Sequence, residues 1–242
     1  MTNYPDSAEI LVTHTPPFSI MDSSKKYGPL GSKAMLEFIS KNQKIIFPTT
    51  NSGYGVGEKG KFCTEESELK PVSLYGKQKV ELEKIYLKNT SSISLRLATV
   101  FGPSPRMRTD LLVNDFVLKA IRDKSVVLFE ENFSRNYIHV DDVSSAFIFS
   151  LKNFDKMKNE AFNVGLSSAN LTKKQLCLEI QKKIKFEIIS SQIGKDPDKR
   201  DYIVSNEKIE KMGWKPKKTI GNGIDELIKL YSLINYNTFT NL

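Results

Sequence analysis

Tyr75 and Lys79 stand four residues apart in the segment Pro71-Val-Ser-Leu-Tyr75-Gly-Lys-Gln-Lys79, which opens a helical pattern. That spacing puts both side chains on one helix face, whereas Lys77 falls off it. A phenol ordinarily loses its proton near pH ~10, too high for a base at neutrality. A neighbouring ammonium favours the phenolate and lowers that value, so Tyr75 could exchange a proton with a substrate hydroxyl. The spacing alone does not decide, because Tyr-x-x-x-Lys also describes a tyrosine packed on the core beside a solvated lysine.

Upstream, Phe47-Pro-Thr-Thr-Asn-Ser-Gly-Tyr-Gly55 follows a strand pattern with a polar, glycine-containing turn. A threonine or serine hydroxyl at the C-terminal end of a parallel strand is well placed to bond a substrate. The acidic stretch Glu65–Glu68 and Pro71 then lead into the Tyr75 helix.

The elements that must position these groups alternate between apolar runs of strand length and helical periodicity, which predicts βα units around a parallel sheet. Expected strands are Glu9–Thr13, Lys44–Pro48, Ile93–Val100, Asn136–Val140, Ala161–Val164 and Phe186–Ser190. Expected helices are Gly31–Lys41, Ser73–Lys88, Asp110–Arg122, Asp141–Asn153, Thr172–Ile184, Ser205–Met212 and Ile224–Leu233. Thr172 and Ser205 are suited to N-caps, and Gly213 to a helix end. From about Ser104 onward the elements become shorter and more mixed, as in a smaller lobe packed beside a sheet.

The chain has 242 residues, 39% hydrophobic and 26% charged, which fits a globular protein rather than a disordered one. No apolar run reaches membrane-span length, and the start lacks the order of a signal peptide. Cys63 and Cys177 are the two cysteines, which argues against a disulfide framework and for a reducing, cytoplasmic setting. The net charge of +8 comes from scattered lysines that match no nucleic-acid motif, so a solvated surface is expected rather than nucleic-acid binding.

The order Thr-Thr-x-x-x-Tyr-Gly, acidic residues, Pro, Tyr-Gly-x-x-Lys resembles the core of the extended short-chain dehydrogenases/reductases. That group includes nucleotide-sugar epimerases, 4,6-dehydratases and reductases. Aligned on Tyr54-Gly55, the resemblance implies Thr50, Tyr75 and Lys79 as catalytic residues, with Tyr75 and Lys79 also binding the cofactor, NAD or NADP. Ile93-Ser-Leu-Arg-Leu-Ala-Thr-Val-Phe-Gly-Pro103 resembles the strand and turn that pass the nicotinamide, which implies Ala98 and Thr99 beside it. The family more often has Phe-Asn at these two positions. Asn114 matches a position on the substrate's diphosphate side. Arg135, in Arg-Asn-Tyr-Ile-His-Val-Asp-Asp142, and Arg200, in Pro-Asp-Lys-Arg-Asp201, match substrate-binding arginines. Guanidinium forks suit a diphosphate because they bind it in a bidentate way and stay charged. The alternative for Arg200 is a surface ion pair with Asp198 or Asp201.

Met212-Gly-Trp-Lys-Pro216 also resembles the family, with Trp214 expected as a hydrophobic anchor. His139 is expected in the core, and Asp141 and Asp142 as caps of the following helix. The implied fold is α/β, a truncated Rossmann-like parallel sheet with a small C-terminal substrate-binding lobe over residues 44–242. The implied partner is a nucleoside-diphosphate sugar, with a homodimer by analogy. A dehydratase would need an acid–base pair after Thr50, where this sequence has Asn51-Ser52. That favours an epimerase or a keto-sugar reductase.

Residues 1–43 read differently. No Gly-x-x-Gly-x-x-Gly turn for a cofactor pyrophosphate is found, so the expectation is a chain missing the first βαβ units. The alternative is a nonenzymatic remnant that binds sugar nucleotides. Residues 9–43 resemble a metallophosphoesterase fragment, in which His14 of Thr-His-Thr-Pro-Pro would be a metal ligand. One imidazole cannot hold a two-metal centre, so no metal is expected. A divergent strand–helix–strand of the ordinary fold is the other reading of that stretch.

Overall fold

The computed structural model describes residues 44–89, 91–191 and 199–233, together with two short paired strands. These are β1 (Ser23–Ser24) and β2 (Gly28–Pro29). The expected strand Glu9–Thr13, the helix Gly31–Lys41 and His14 lie outside the described residues.

Strand β3 (Lys44–Thr50) ends in a 3-10 turn, Asn51–Tyr54, followed by β4 (Phe62–Cys63). Helix α1 (Leu74–Asn89) carries the chain to β5 (Ser91–Leu97) and then β6 (Thr99–Phe101). Next come α2 (Leu112–Arg122), β7 (Ser125–Leu128) and β8 (Ser134–His139). Helices α3 (Val140–Lys152) and α4 (Phe154–Met157) precede β9 (Glu160–Val164) and β10 (Asn170–Thr172). The last part holds α5 (Lys173–Gln181), β11 (Glu187–Ser190), β12 (Ile203–Val204), α6 (Glu207–Lys211) and α7 (Ile220–Leu233).

Strands β3, β5 and β9 form a parallel sheet in that order, with Thr50 opposite Leu97 and Leu97 opposite Val164. The crossover from β3 to β5 is α1, as parallel pairing requires. Central β5 is buried along nearly its whole length; its run Ile-Ser-Leu-Arg-Leu alternates, and the polar face is buried too because Ser94 and Arg96 bond Glu83 of α1. A second sheet has β8 between β6, parallel to it, and β10, antiparallel. The two-residue and four-residue pairs β4–β12 and β7–β11 are also parallel. The fold is therefore α/β with parallel sheets.

One core lies under the first sheet, with Ile93, Leu95, Phe162, Val164 and Trp214. Another fills the C-terminal lobe around Phe116, Val117, Leu176, Leu227 and Tyr231. Trp214 is buried as expected, and its indole N–H donates to Ser145 Oγ at 3.0 Å. Thr172 caps α5 in a reciprocal box with Gln175.

Several boundaries differ from expectation. Ile93–Val100 is two strands, because the chain leaves β9 after the Ala98 N–H donates to Val164 O at 2.9 Å and pairs with β8 from Thr99 onward. The N-cap position of α6 is Asn206, whose side chain makes no capping bond, while Ser205 Oγ, one residue earlier, accepts the Glu207 N–H at 3.3 Å. His139 is buried as expected, yet it also caps α3, its Nδ1 accepting from the Asp141 N–H. Asp142 does not cap its own helix. Its carboxylate accepts the Lys217 and Lys218 N–H groups at 2.9 Å, tying down the entrance to α7.

Candidate functional site

The site forms where β3 and β5 end, a place set by the sheet and reached by one face of α1. The buried stripe of α1 is Gly76, Val80, Glu83 and Tyr86, a helical repeat that faces the sheet. Tyr86 packs on Phe47 of β3 with ring centroids 4.9 Å apart. Beside that stripe, Tyr75 and Lys79 project toward the strand ends. Gly76 fits closely over the turn, since an added Cβ would lie 3.3 Å from Ser52 O. Gly55 closes the turn at φ 66°, where a Cβ would sit 1.9 Å from Lys70 O, so the position requires glycine.

Thr50 caps the 3-10 turn, accepting the Ser52 N–H at 3.1 Å and donating to Ser52 Oγ at 3.0 Å. The Arg200 guanidinium also donates to Ser52 Oγ. The Thr50 hydroxyl lies near enough to the Tyr75 phenol to favour its ionised form. Thr50, Tyr75 and Arg200 are thus brought together.

Lys79 donates to Pro48 O at 3.2 Å, and its ammonium lies 5.9 Å from the Tyr75 ring centroid. The expected depression of the phenol by Lys79 is not what the structure gives. Burial pushes the Tyr75 phenol above its ordinary value, while Thr50, Arg200 and Arg108 pull it down. Tyr75 is 53% exposed, which limits how far burial acts. Burial also lowers the Lys79 pKa. The cations that favour a phenolate here are the arginines rather than the lysine.

Ala98 is buried and Thr99 half-buried, one and two residues beyond the Thr50–Leu97 register. Asn114 is buried under the following loop, its amide accepting from Gly102 N–H at 3.1 Å and donating to Arg108 O at 2.8 Å. It acts on the site by fastening the loop that carries Arg108. Arg135 is buried, with its guanidinium 5.5 Å from the Tyr202 ring centroid and donating to Ser134 O at 2.9 Å. The segment after Arg200 is tied to the same strand, because Ser134 N–H donates to Asp201 Oδ1 at 2.7 Å.

Sequence reasoning passed over Ser52, Arg108, Glu83 and Arg96. Ser52 and Arg108 carry no local signal. Arg96 carries one, since a charge inside an otherwise buried strand demands a partner. Asn51, next to Thr50, is fully buried, and among the described residues neither end of its carboxamide finds a hydrogen-bond partner.

Among the described residues, His139, Asp141 and Glu226 come within 4.8 Å as possible metal ligands. Lys218 bonds Glu226 and lies 3.8 Å from Asp141, so an ammonium already faces these two carboxylates.

The sequence profile described as the NAD dependent epimerase/dehydratase family matches residues 29–165. The chain belongs to this family. The match begins inside residues 9–43, and the likeness of that stretch to a metallophosphoesterase finds no support. The dTDP-4-dehydro-6-deoxyglucose reductase of Escherichia coli is 29% identical over 197 residues, covering 77% of this chain and 61% of the reductase. The chain thus spans about three-fifths of that relative's length. The UDP-glucose 4-epimerase of Thermotoga maritima, solved with UDP-glucose, superposes with a TM-score of 0.71 at 25% identity, over 83% of this chain and 68% of the epimerase. The dTDP-glucose 4,6-dehydratase of Bacillus anthracis, solved with NAD, gives 0.70 at 25%, over 83% and 66%. Among the described residues of this epimerase/dehydratase family member, no helix is long and apolar enough to cross a membrane.

Proposed function

We propose that this chain performs NAD(P)-dependent hydride chemistry on the sugar of a nucleoside-diphosphate sugar, as an epimerase or a keto-sugar reductase. Its catalytic residues in this reading are Thr50, Tyr75 and Lys79. The observation that supports it is the gathering at the ends of parallel strands: Thr50 and Arg200 both bond Ser52 Oγ, and Lys79, 5.9 Å from the Tyr75 ring centroid, bonds Pro48 O of the same strand.

NAD(P), when bound, supplies the hydride acceptor and donor. The donor set fits a nicotinamide ribose, because the Lys79 ammonium donates to Pro48 O and an ammonium offers three donors. The small Ala98 side chain and the Thr99 hydroxyl flank the same strand ends. In the oxidative direction the Tyr75 phenolate accepts the sugar hydroxyl proton as the carbon gives up hydride, and reduction reverses both transfers. Thr50 hydrogen-bonds the same oxygen, and Arg200 and Arg108 favour the phenolate.

Arg135 and Arg200 would hold the diphosphate, and Asn114 would contribute through the loop it fastens. Asn51 and Ser52 offer no carboxylate for dehydration, which supports epimerisation or reduction, the reactions named for the E. coli and T. maritima proteins. A cytoplasmic role in carbohydrate biosynthesis and a homodimer belong to the same proposal.

Calorimetric titration with NAD and NADP, followed by turnover of UDP- and dTDP-sugars, tests it. Replacing Tyr75→Phe should lower kcat by about 10²- to 10⁴-fold with little change in sugar-nucleotide affinity. Retained turnover would defeat the assignment of the base. Sugar-nucleotide binding without any cofactor binding would instead support a nonenzymatic remnant.

A further inference from the structure

We propose that Glu83 and Arg96 are positioning residues whose buried ion pair sets the height of α1 over the sheet and so holds the Tyr75 hydroxyl against Thr50. The inference rests on the assignment of Tyr75 above. Glu83 follows Tyr75 by eight residues and Lys79 by four, so the three share one helix face.

The Glu83 carboxylate accepts from Arg96 Nη2 at 2.6 Å and Nε at 3.1 Å, from Ser94 Oγ at 2.6 Å and from Thr49 Oγ1 at 3.0 Å. The two charged side chains are 5% and 8% exposed. Arg96 Nη1 donates to the Tyr54 hydroxyl at 3.0 Å and to Glu65 O at 3.1 Å. One carboxylate therefore reaches Thr49, beside Thr50, as well as Ser94 and Arg96, just before Ala98. Through Arg96 it also reaches Tyr54, which ends the turn holding Ser52. Every backbone segment that carries a reacting group meets at Glu83.

An apolar helix–sheet contact tolerates sliding, because dispersion and burial change little over small displacements. A two-pronged guanidinium–carboxylate pair fixes position and angle together. Eight residues of helix span about 12 Å, and a helix transmits an axial shift along that length. Replacing a buried pair by apolar residues of similar size often leaves stability intact, so stability and positioning can be separated.

Three variants test this: Thr49→Val, Glu83→Gln, and the double variant Glu83→Met with Arg96→Met. The readouts are thermal unfolding, the pH titration of the ¹³Cζ resonance of Tyr75 (assigned with Tyr75→Phe), and kcat and KM. The double variant should unfold near the wild-type temperature, yet show a displaced Tyr75 titration. Its kcat should fall roughly 10- to 100-fold while KM changes by less than about threefold, as expected for a misplaced group. Thr49→Val and Glu83→Gln should shift the same resonance in the same sense.

A folded double variant with wild-type Tyr75 titration and kcat would overturn the proposal. If that variant fails to fold, an unchanged Tyr75 titration in Thr49→Val would overturn it equally. A displaced titration in a protein without turnover would support the positioning role while sinking the catalytic reading.

Discussion

Two clusters of charge in this protein use similar residues in different surroundings. Under α1, Arg96 and Glu83 are enclosed, and Thr49, Ser94 and Tyr54 complete their hydrogen bonds. At the entrance to α7, Lys218 and Glu226 are each 34% exposed and Asp141 is 64% exposed, around the buried His139 ring. Water competes with every bond in the second cluster and with almost none in the first. The enclosed cluster is therefore costly to break and geometrically exacting, whereas the open one can rearrange.

The sharpest way to break the contrast is to remove one partner from each. Arg96→Met alone should cost about 3–5 kcal/mol, because it leaves the Glu83 carboxylate buried and uncompensated. Urea unfolding checks it, and a loss below about 1 kcal/mol would mean that water enters the cluster.

Alkaline titration probes the same cluster. Burial pushes Tyr54 from its ordinary 10 up to about 12 against the opposing pull of Arg96. The folded state then keeps a proton that the unfolded chain has lost, so this contribution is complete below pH 10 and disappears as pH rises through about 12. Over that window it amounts to at most about 3 kcal/mol. Tyr54→Phe should flatten the decline in stability measured between those pH values.

Asn51 marks the opposite case beside the same turn, a buried carboxamide without partners among the described residues. Asn51→Leu should raise the unfolding free energy by about 1–3 kcal/mol, the cost of leaving a buried polar group unsatisfied. A loss of stability would show that the carboxamide is satisfied in solution. The smallest effect is expected at the open cluster. Lys218→Met should move Tm by less than about 2 °C, and added salt should shrink the difference further.

The sequence reading located most elements because their burial is repetitive. The α1 stripe and the β5 run follow from side-chain periodicity, and Thr172 with Gln175 reads as a capping box from residue types alone. Short strands such as β4 and β12 escaped it, since two residues carry no period. The break at Ala98 escaped too, because a strand that changes sheets keeps its apolar character.

For the candidate site, sequence supplied the residue types and their order: Thr50 at a strand end, and Tyr75 and Lys79 one helical turn apart. Tertiary structure decided what surrounds them. It brought Arg108 and Arg200, distant in the chain, close enough to act on the Tyr75 phenol, and drew Lys79 to Pro48 O. It also turned Asn114 toward a loop. Periodicity records which face of a helix or strand is buried, but charge and hydrogen bonding depend on distances between segments that only the folded chain fixes.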